Sequence, residues 1–228
     1  VSHVTLQQIR LEMDRAADTA GRPPAHLLAV SKTQTAAAVA ALAAQGQRAF
    51  GENYVQEAAD KIAALAQAGL EWHLIGHLQS NKAELAASLF DWVQSVDRPK
   101  LIAPLAKGRP GTRAPLNVLI QVNIDDEASK HGCHPDQMES LAAAIATQPA
   151  LALRGLMAIP APWPEAERRQ AAFMRMRTLF ERLRDAYPQV DTLSMGMSGD
   201  FAQAIAAGAT LVRIGTALFG ARTPQMAQ

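Results

Sequence analysis

Eight times along its length the chain trades a short apolar run for a helical stretch. The runs are HLLAVSK (26–32), AFGENY (49–54), EWHLIG (71–76), DWVQSVD (91–97), LNVLIQVNI (116–124), LRGLMAI (153–159), TLSMG (192–196) and TLVRIG (210–215). Between them lie Ala-rich segments with helical spacing, such as TQTAAAVAALAAQG, which starts with Thr capping candidates and stops on Gly46, and VQEAADKIAALAQAG, which stops on Gly69. Near-continuous apolar strands that alternate with helices read as parallel β/α units, buried on both faces. Eight such units predict a single-domain (β/α)8 TIM-type barrel across residues 1–228, with an extra helix in front carrying Val4, Leu6, Ile9, Leu11 and Met13. An open doubly wound sheet uses the same units and is the alternative. Pro104 weakens the helix expected at 99–108. The Pro-rich stretch 160–164 reads as a loop over one barrel face, and 165–187 as a long solvated amphipathic helix.

A chain of 228 residues can bury a full core without a disulfide or a structural metal. With 22 basic and 21 acidic residues, its charge balance calls for neither a nucleic-acid nor a membrane-surface partner. Cys133 is the sole cysteine, which rules out an internal disulfide and fits a reducing compartment. No apolar stretch approaches the roughly 20 residues that cross a bilayer, and the N-terminal segment lacks the pattern of a signal peptide. A cytoplasmic protein is expected.

Barrels of this kind bind ligands where their strands end, so the polar residues at those ends carry the functional reading. Lys32 follows LLAV directly. Partial desolvation there favours a neutral amine able to attack an aldehyde, although a strand-end lysine can equally snorkel to solvent. Asn53 follows the second run, and Met157 lies near the end of the sixth. Ser198 and the pair Gly215-Thr216 follow the seventh and eighth runs, where barrel loops often build a phosphate site; ordinary turn chemistry also places Gly and Ser there. Arg213 is unusual in a buried strand and needs a partner, either an internal carboxylate or a ring nitrogen of a cofactor. His73 and His77 straddle a strand and its loop rather than one helix face, so a metal site is not expected. Cys133-His134 are adjacent, which rarely lets a nucleophile and a base face each other.

The motifs LLAVSK, FGENYVQE, WHLIG with LQSNK, LNVLIQVNI, DEASKHG, RGLMAIPAP, LSMGMSGD and VRIGTALFGAR occur in that order between Leu27 and Arg222, within a likeness that runs from about Leu6 to Arg222. In them the chain resembles the YggS/PROSC family of pyridoxal 5′-phosphate (PLP) homeostasis proteins, single-domain barrels related to the N-terminal domain of alanine racemase. The resemblance implies PLP as cofactor and Lys32 as its Schiff-base lysine. It implies a phosphate held around Ser198, Gly215 and Thr216, Arg213 facing the pyridine nitrogen, and Asn53 and Met157 lining the pocket. One departure is visible: the proline usual after the IG of the third strand is His77 here.

An arginine is a poor proton donor to the ring nitrogen, which weakens PLP as an electron sink. Racemisation remains compatible with that, but it needs a second acid/base that alanine racemase draws from a domain this chain lacks. The resemblance therefore implies a non-catalytic protein of intracellular PLP (vitamin B6) homeostasis. Such a protein would influence amino-acid and keto-acid balance as a monomer, with apo PLP enzymes as recipients. An amino-acid racemase of low activity is the alternative, and a Schiff-base aldolase for a phosphorylated sugar is a more distant one. Lys130, in the loop after the fifth strand, is either a solvated lysine or a transient second PLP contact.

Overall fold

The computed structural model describes residues 4–219. The eight apolar runs form parallel strands β1 (His26–Val30), β2 (Ala49–Glu52), β3 (Glu71–Leu74), β4 (Trp92–Val96), β5 (Leu116–Gln121), β6 (Leu151–Met157), β7 (Thr192–Ser194) and β8 (Leu211–Ile214). They pair in chain order, and β8 returns to pair with β1 from His26↔Leu211 to Ala29↔Ile214. This closure excludes the open sheet and gives the expected barrel. A leading helix α1 (Leu6–Ala20) precedes β1, and each strand is followed by a helix: α2 (Ala36–Ala44), α3 (Val55–Ala64), α4 (Ala83–Leu89), α5 (Ile102–Gly108), α6 (Met138–Ala146), α7 (Ala166–Ala186), α8 (Phe201–Ala206) and α9 (Thr216–Phe219). No described helix is long and apolar enough to cross a membrane.

Helix ends follow local chemistry. Thr5 and Gln8 form a reciprocal capping box that starts α1, and Gly21 ends it in the left-handed region at φ 63°. Of the apolar positions expected on this helix, Leu6, Ile9 and Met13 are buried, whereas Leu11 falls off the stripe and is exposed. Pro104 is accommodated because it sits in the first turn of α5, where a backbone N–H would have no intrahelical acceptor. α3 ends at Ala64, before Gly69, and the Leu65 N–H closes its last turn on the Lys61 carbonyl. The last two residues of the TALFGA helical segment lie outside the described residues.

The strands have two buried faces. Outward-pointing Leu27, Ala29, Phe50 and Leu74 pack beneath the helices with Val39, Phe173 and Phe180, forming the main core. Inside the barrel sits a smaller apolar cluster of Trp92, Leu119 and Met157, accompanied by the buried polar side chains His73, Gln94, Ser194 and Arg213.

The register of β6 against β5 slips between the pairs Val118↔Leu153 and Leu119↔Gly155. Gly155 makes this bulge: its φ is 153°, and a Cβ there would stand 1.8 Å from the Thr192 carbonyl oxygen. The extra residue keeps Met157 facing inward. Gly155→Ala should therefore destabilise the barrel by about 3 kcal/mol or more, read as a lowered urea midpoint with unchanged slope.

Candidate functional site

At the C-terminal end of the barrel lies a cavity of about 330 Å³ whose wall includes Lys32, Asn53, Ser198, Arg213, Gly215 and Thr216. Closure of the sheet brings Lys32, on the β1 side, beside the β8 residues that lie more than 180 positions away in sequence. Lys32 is half-buried and sits in the turn after β1, which ends at Val30 rather than continuing to position 32.

That turn is held from both sides. Ser31, just before Lys32, is fully buried; its hydroxyl donates to Glu52 Oε1 at 2.9 Å, and its carbonyl accepts from Lys61 Nζ at 2.7 Å. Thr33, just after, takes a left-handed φ of 65°, which a β-branched residue adopts only under external constraint. Its N–H donates to Glu57 Oε1. Lys61 ties the set together with ion pairs to Glu52 (2.7 Å) and Glu57 (2.9 Å), so its three N–H bonds all have acceptors. Burial pushes the Glu52 carboxyl up, opposed chiefly by the hydrogen bond and charge of Lys61. Glu52 Oε2 has no partner among the described residues. The sequence reading singled out neither Lys61 nor Glu57; their spacing from each other marks an ordinary helix pair, and only the fold aims it at the Lys32 turn.

Asn53 lies where the chain leaves β2 and crosses Gly76 so closely that a Cβ at Gly76 would stand 2.1 Å from the Asn53 carbonyl oxygen. Its side-chain Oδ1 is buried without a partner among the described residues, and the residue forms part of the cavity wall.

Arg213 is 3% exposed. No internal carboxylate among the described residues partners it: its Nη1 donates to Ser194 Oγ at 2.7 Å and its Nη2 to the Ala158 carbonyl at 2.9 Å. Burial lowers the guanidinium to about 10, so it stays cationic at neutral pH with a cavity on one side.

Met157 does not line the cavity. Strand alternation puts it one layer deeper, against Trp92 and Leu119, while Ile159, two residues on and on the same face, reaches the wall. Met197 and Gly199 line the cavity too, as part of the loop around Ser198, whereas Gln34, Ile75 and Ile159 were missed; the alternation Met157-Ile159 was the signal that could have found Ile159. Lys130 lies away from the cavity wall, in a loop folded on itself by Asn123, whose Nδ2 donates to the Glu127 carbonyl at 2.8 Å. Cys133 is buried and its thiol is pushed up to about 12, chiefly by desolvation, while the His134 ring caps its own turn.

His77, Asp97 and His131 bring ligand-type atoms within 4.8 Å of one another. The two imidazoles stack at 3.8 Å and 17°, so their in-plane lone pairs run side by side instead of converging on a point. Asp97 is already engaged by Arg98 and by the Gly132 N–H.

The donor set fits a phosphorylated aldehyde such as PLP. It combines a half-buried lysine amine, a buried cationic guanidinium, an orphan amide oxygen, and two loops bearing hydroxyl groups at Ser198 and Thr216 around one cavity.

Residues 4–223 match the alanine racemase N-terminal domain family. The pyridoxal phosphate homeostasis protein of Escherichia coli K12 is 53% identical over 222 residues, which cover 95% of each chain. The structure of PipY from Synechococcus elongatus PCC7942 with PLP bound superposes with a TM-score of 0.80 at 38% identity, covering 92% of this chain and 100% of that one. Alanine racemase from Corynebacterium glutamicum, 21% identical with a TM-score of 0.65, shares the fold; 99% of this chain matches 64% of that enzyme.

Lys61→Met should lower stability by about 3 kcal/mol, because it leaves the buried Glu52 carboxylate without its cation; adding Glu52→Gln should restore part of that loss in urea unfolding. His73 is buried and held below its ordinary range by desolvation. The unfolded chain therefore takes up a proton there that the native state refuses, and stability should fall as pH drops below about 6.5. Melting curves from pH 8 to pH 5 should show a smaller loss in His73→Phe than in the unchanged protein.

Proposed function

The chain belongs to the alanine racemase N-terminal domain family, among its pyridoxal phosphate homeostasis proteins, and from that footing we propose that it holds and releases PLP rather than turning over amino acids with it. The cofactor, when bound, supplies an aldehyde reactive toward amines. Lys32 would be its covalent anchor, and the Ser198 and Gly215-Thr216 loops would take the phosphate. Arg213 would meet the ring nitrogen, and the Asn53 side chain would meet a polar group on the ring. PLP bound to PipY, a relative of 38% identity, supports the choice of cofactor.

One observation carries the non-catalytic reading. Among the described residues lining the cavity, Lys32 and Arg213 are the only titratable side chains. Racemisation needs two proton-transfer groups on opposite faces of the bound substrate, and Arg213, cationic and fixed by two hydrogen bonds, is a poor candidate for the second. We read the protein as a monomer of the cytoplasm, and the lone buried thiol suits a reducing compartment. Apo PLP enzymes are the natural recipients.

Adding PLP should produce a visible absorbance band that borohydride abolishes, with the reduced adduct mapping to Lys32; Lys32→Ala should lack both. The loaded protein should activate an apo PLP enzyme and should leave the Cα–H of a panel of amino acids unexchanged in D2O. Rapid exchange would establish the racemase reading instead.

A further inference from the structure

A single file of hydrogen bonds crosses the barrel interior from one end to the other. Arg213 Nη1 donates to Ser194 Oγ at 2.7 Å, and Ser194 Oγ donates to Gln94 Oε1 at 2.7 Å. Gln94 Nε2 and His73 Nδ1 lie 2.9 Å apart, and His73 Nε2 and Glu71 Oε1 2.7 Å apart. Ser194, Gln94 and His73 are all at most 1% exposed, whereas half of the Glu71 side chain is exposed. The lower end opens into a second cavity, of about 780 Å³, at the N-terminal ends of the strands, whose wall includes Glu71, His73 and Arg154.

Chemistry at the two ends fixes the direction of every link. A guanidinium only donates, so Ser194 Oγ must accept from Arg213 and spend its one hydrogen on Gln94 Oε1. That orients the amide, whose Nε2–H then donates to His73 Nδ1. The His73 proton therefore sits on Nε2, where it is given to the Glu71 carboxylate, a group that only accepts. Desolvation keeps His73 neutral, as this arrangement requires. The imidazole is fixed in addition by stacking on Trp92 at 5.1 Å and 9°. Each buried polar group thus has its partner, and the order of donors would be broken by removing any one of them.

We propose that Ser194, Gln94, His73 and Glu71 are positioning residues for Arg213: they lock its guanidinium toward the cofactor cavity and so keep the cofactor's ring nitrogen unprotonated. This rests on the reading that PLP occupies the upper cavity with its ring nitrogen at Arg213. The second guanidinium bond, to the Ala158 carbonyl, sets one edge of the plane; the relay sets the other. Without the relay, Arg213 gains rotational freedom and water reaches the ring nitrogen.

The test is the nitrogen-15 resonance of ring-labelled PLP bound to the full chain at fixed neutral pH, measured beside the rate of PLP release. In the unchanged protein the resonance should lie in the range of an unprotonated pyridine. In Ser194→Ala, Gln94→Leu and His73→Phe it should move upfield toward the protonated range, with release about fivefold faster, the equivalent of one net hydrogen bond. Glu71→Gln alters only the exposed end of the file, so it should fold, and it should move the resonance in the same direction by less. A resonance unchanged in folded Gln94→Leu overturns the proposal; if that variant does not fold, an unchanged resonance in Glu71→Gln does so. A merely structural network would lower the melting temperature without moving the resonance, and that result also counts against it. No bound resonance in the unchanged protein would sink the PLP reading itself, an outcome separate from failure of the relay.

Discussion

Pairing of β8 with β1 is the constraint on which the remaining structure depends. Parallel strands cannot be joined by tight hairpins, so each must be reached through a crossover, and only a full circuit removes both sheet edges. Once Leu28 is in register with Arg213, the turn carrying Lys32 is forced to the same rim as the Gly215-Thr216 loop. An amine, a guanidinium and two hydroxyl-bearing loops then share one cavity because the sheet has no other way to close.

Closure also creates a difficulty. The interior of a small barrel is a dry space, and a guanidinium placed there must find acceptors or be strongly destabilising. This chain supplies neutral acceptors instead of a carboxylate. A carboxylate would neutralise Arg213 locally and compete with any ligand for its N–H groups. A hydroxyl and a carbonyl satisfy two N–H groups and leave the charge directed at the cavity. The Lys32 turn meets its own burial problem with an ion triad, Glu52–Lys61–Glu57, placed outside the cavity.

The alternation of apolar and helical segments made the barrel legible, because a parallel β/α unit has a period that side chains cannot disguise. The positions of Lys32, Asn53, Ser198, Arg213, Gly215 and Thr216 on the cavity wall were legible as well, since each stands where a strand runs out. Met157 was placed one layer too high. Met157 closes β6 and faces inward, but it packs against Trp92 and Leu119, and the chain reaches the cavity wall only two residues later, at Ile159. The relay was hidden for another reason. Gln94, His73 and Ser194 come from three different strands, and each reads as an isolated polar residue until closure sets them in line. Lys61 likewise reads as one half of a surface helix pair, and only packing against β1 and β2 reveals it as buried.

Held in the proposed way, at one independent site per molecule, the cofactor would fill and empty along a simple curve. With one independent site per molecule, saturation is hyperbolic, and moving from one-tenth to nine-tenths filled takes roughly an 80-fold change in free ligand. A protein binding so would be a wide-range reservoir rather than a threshold device: it would take up part of every surplus and return part at every shortage, with no concentration at which it snaps from empty to full.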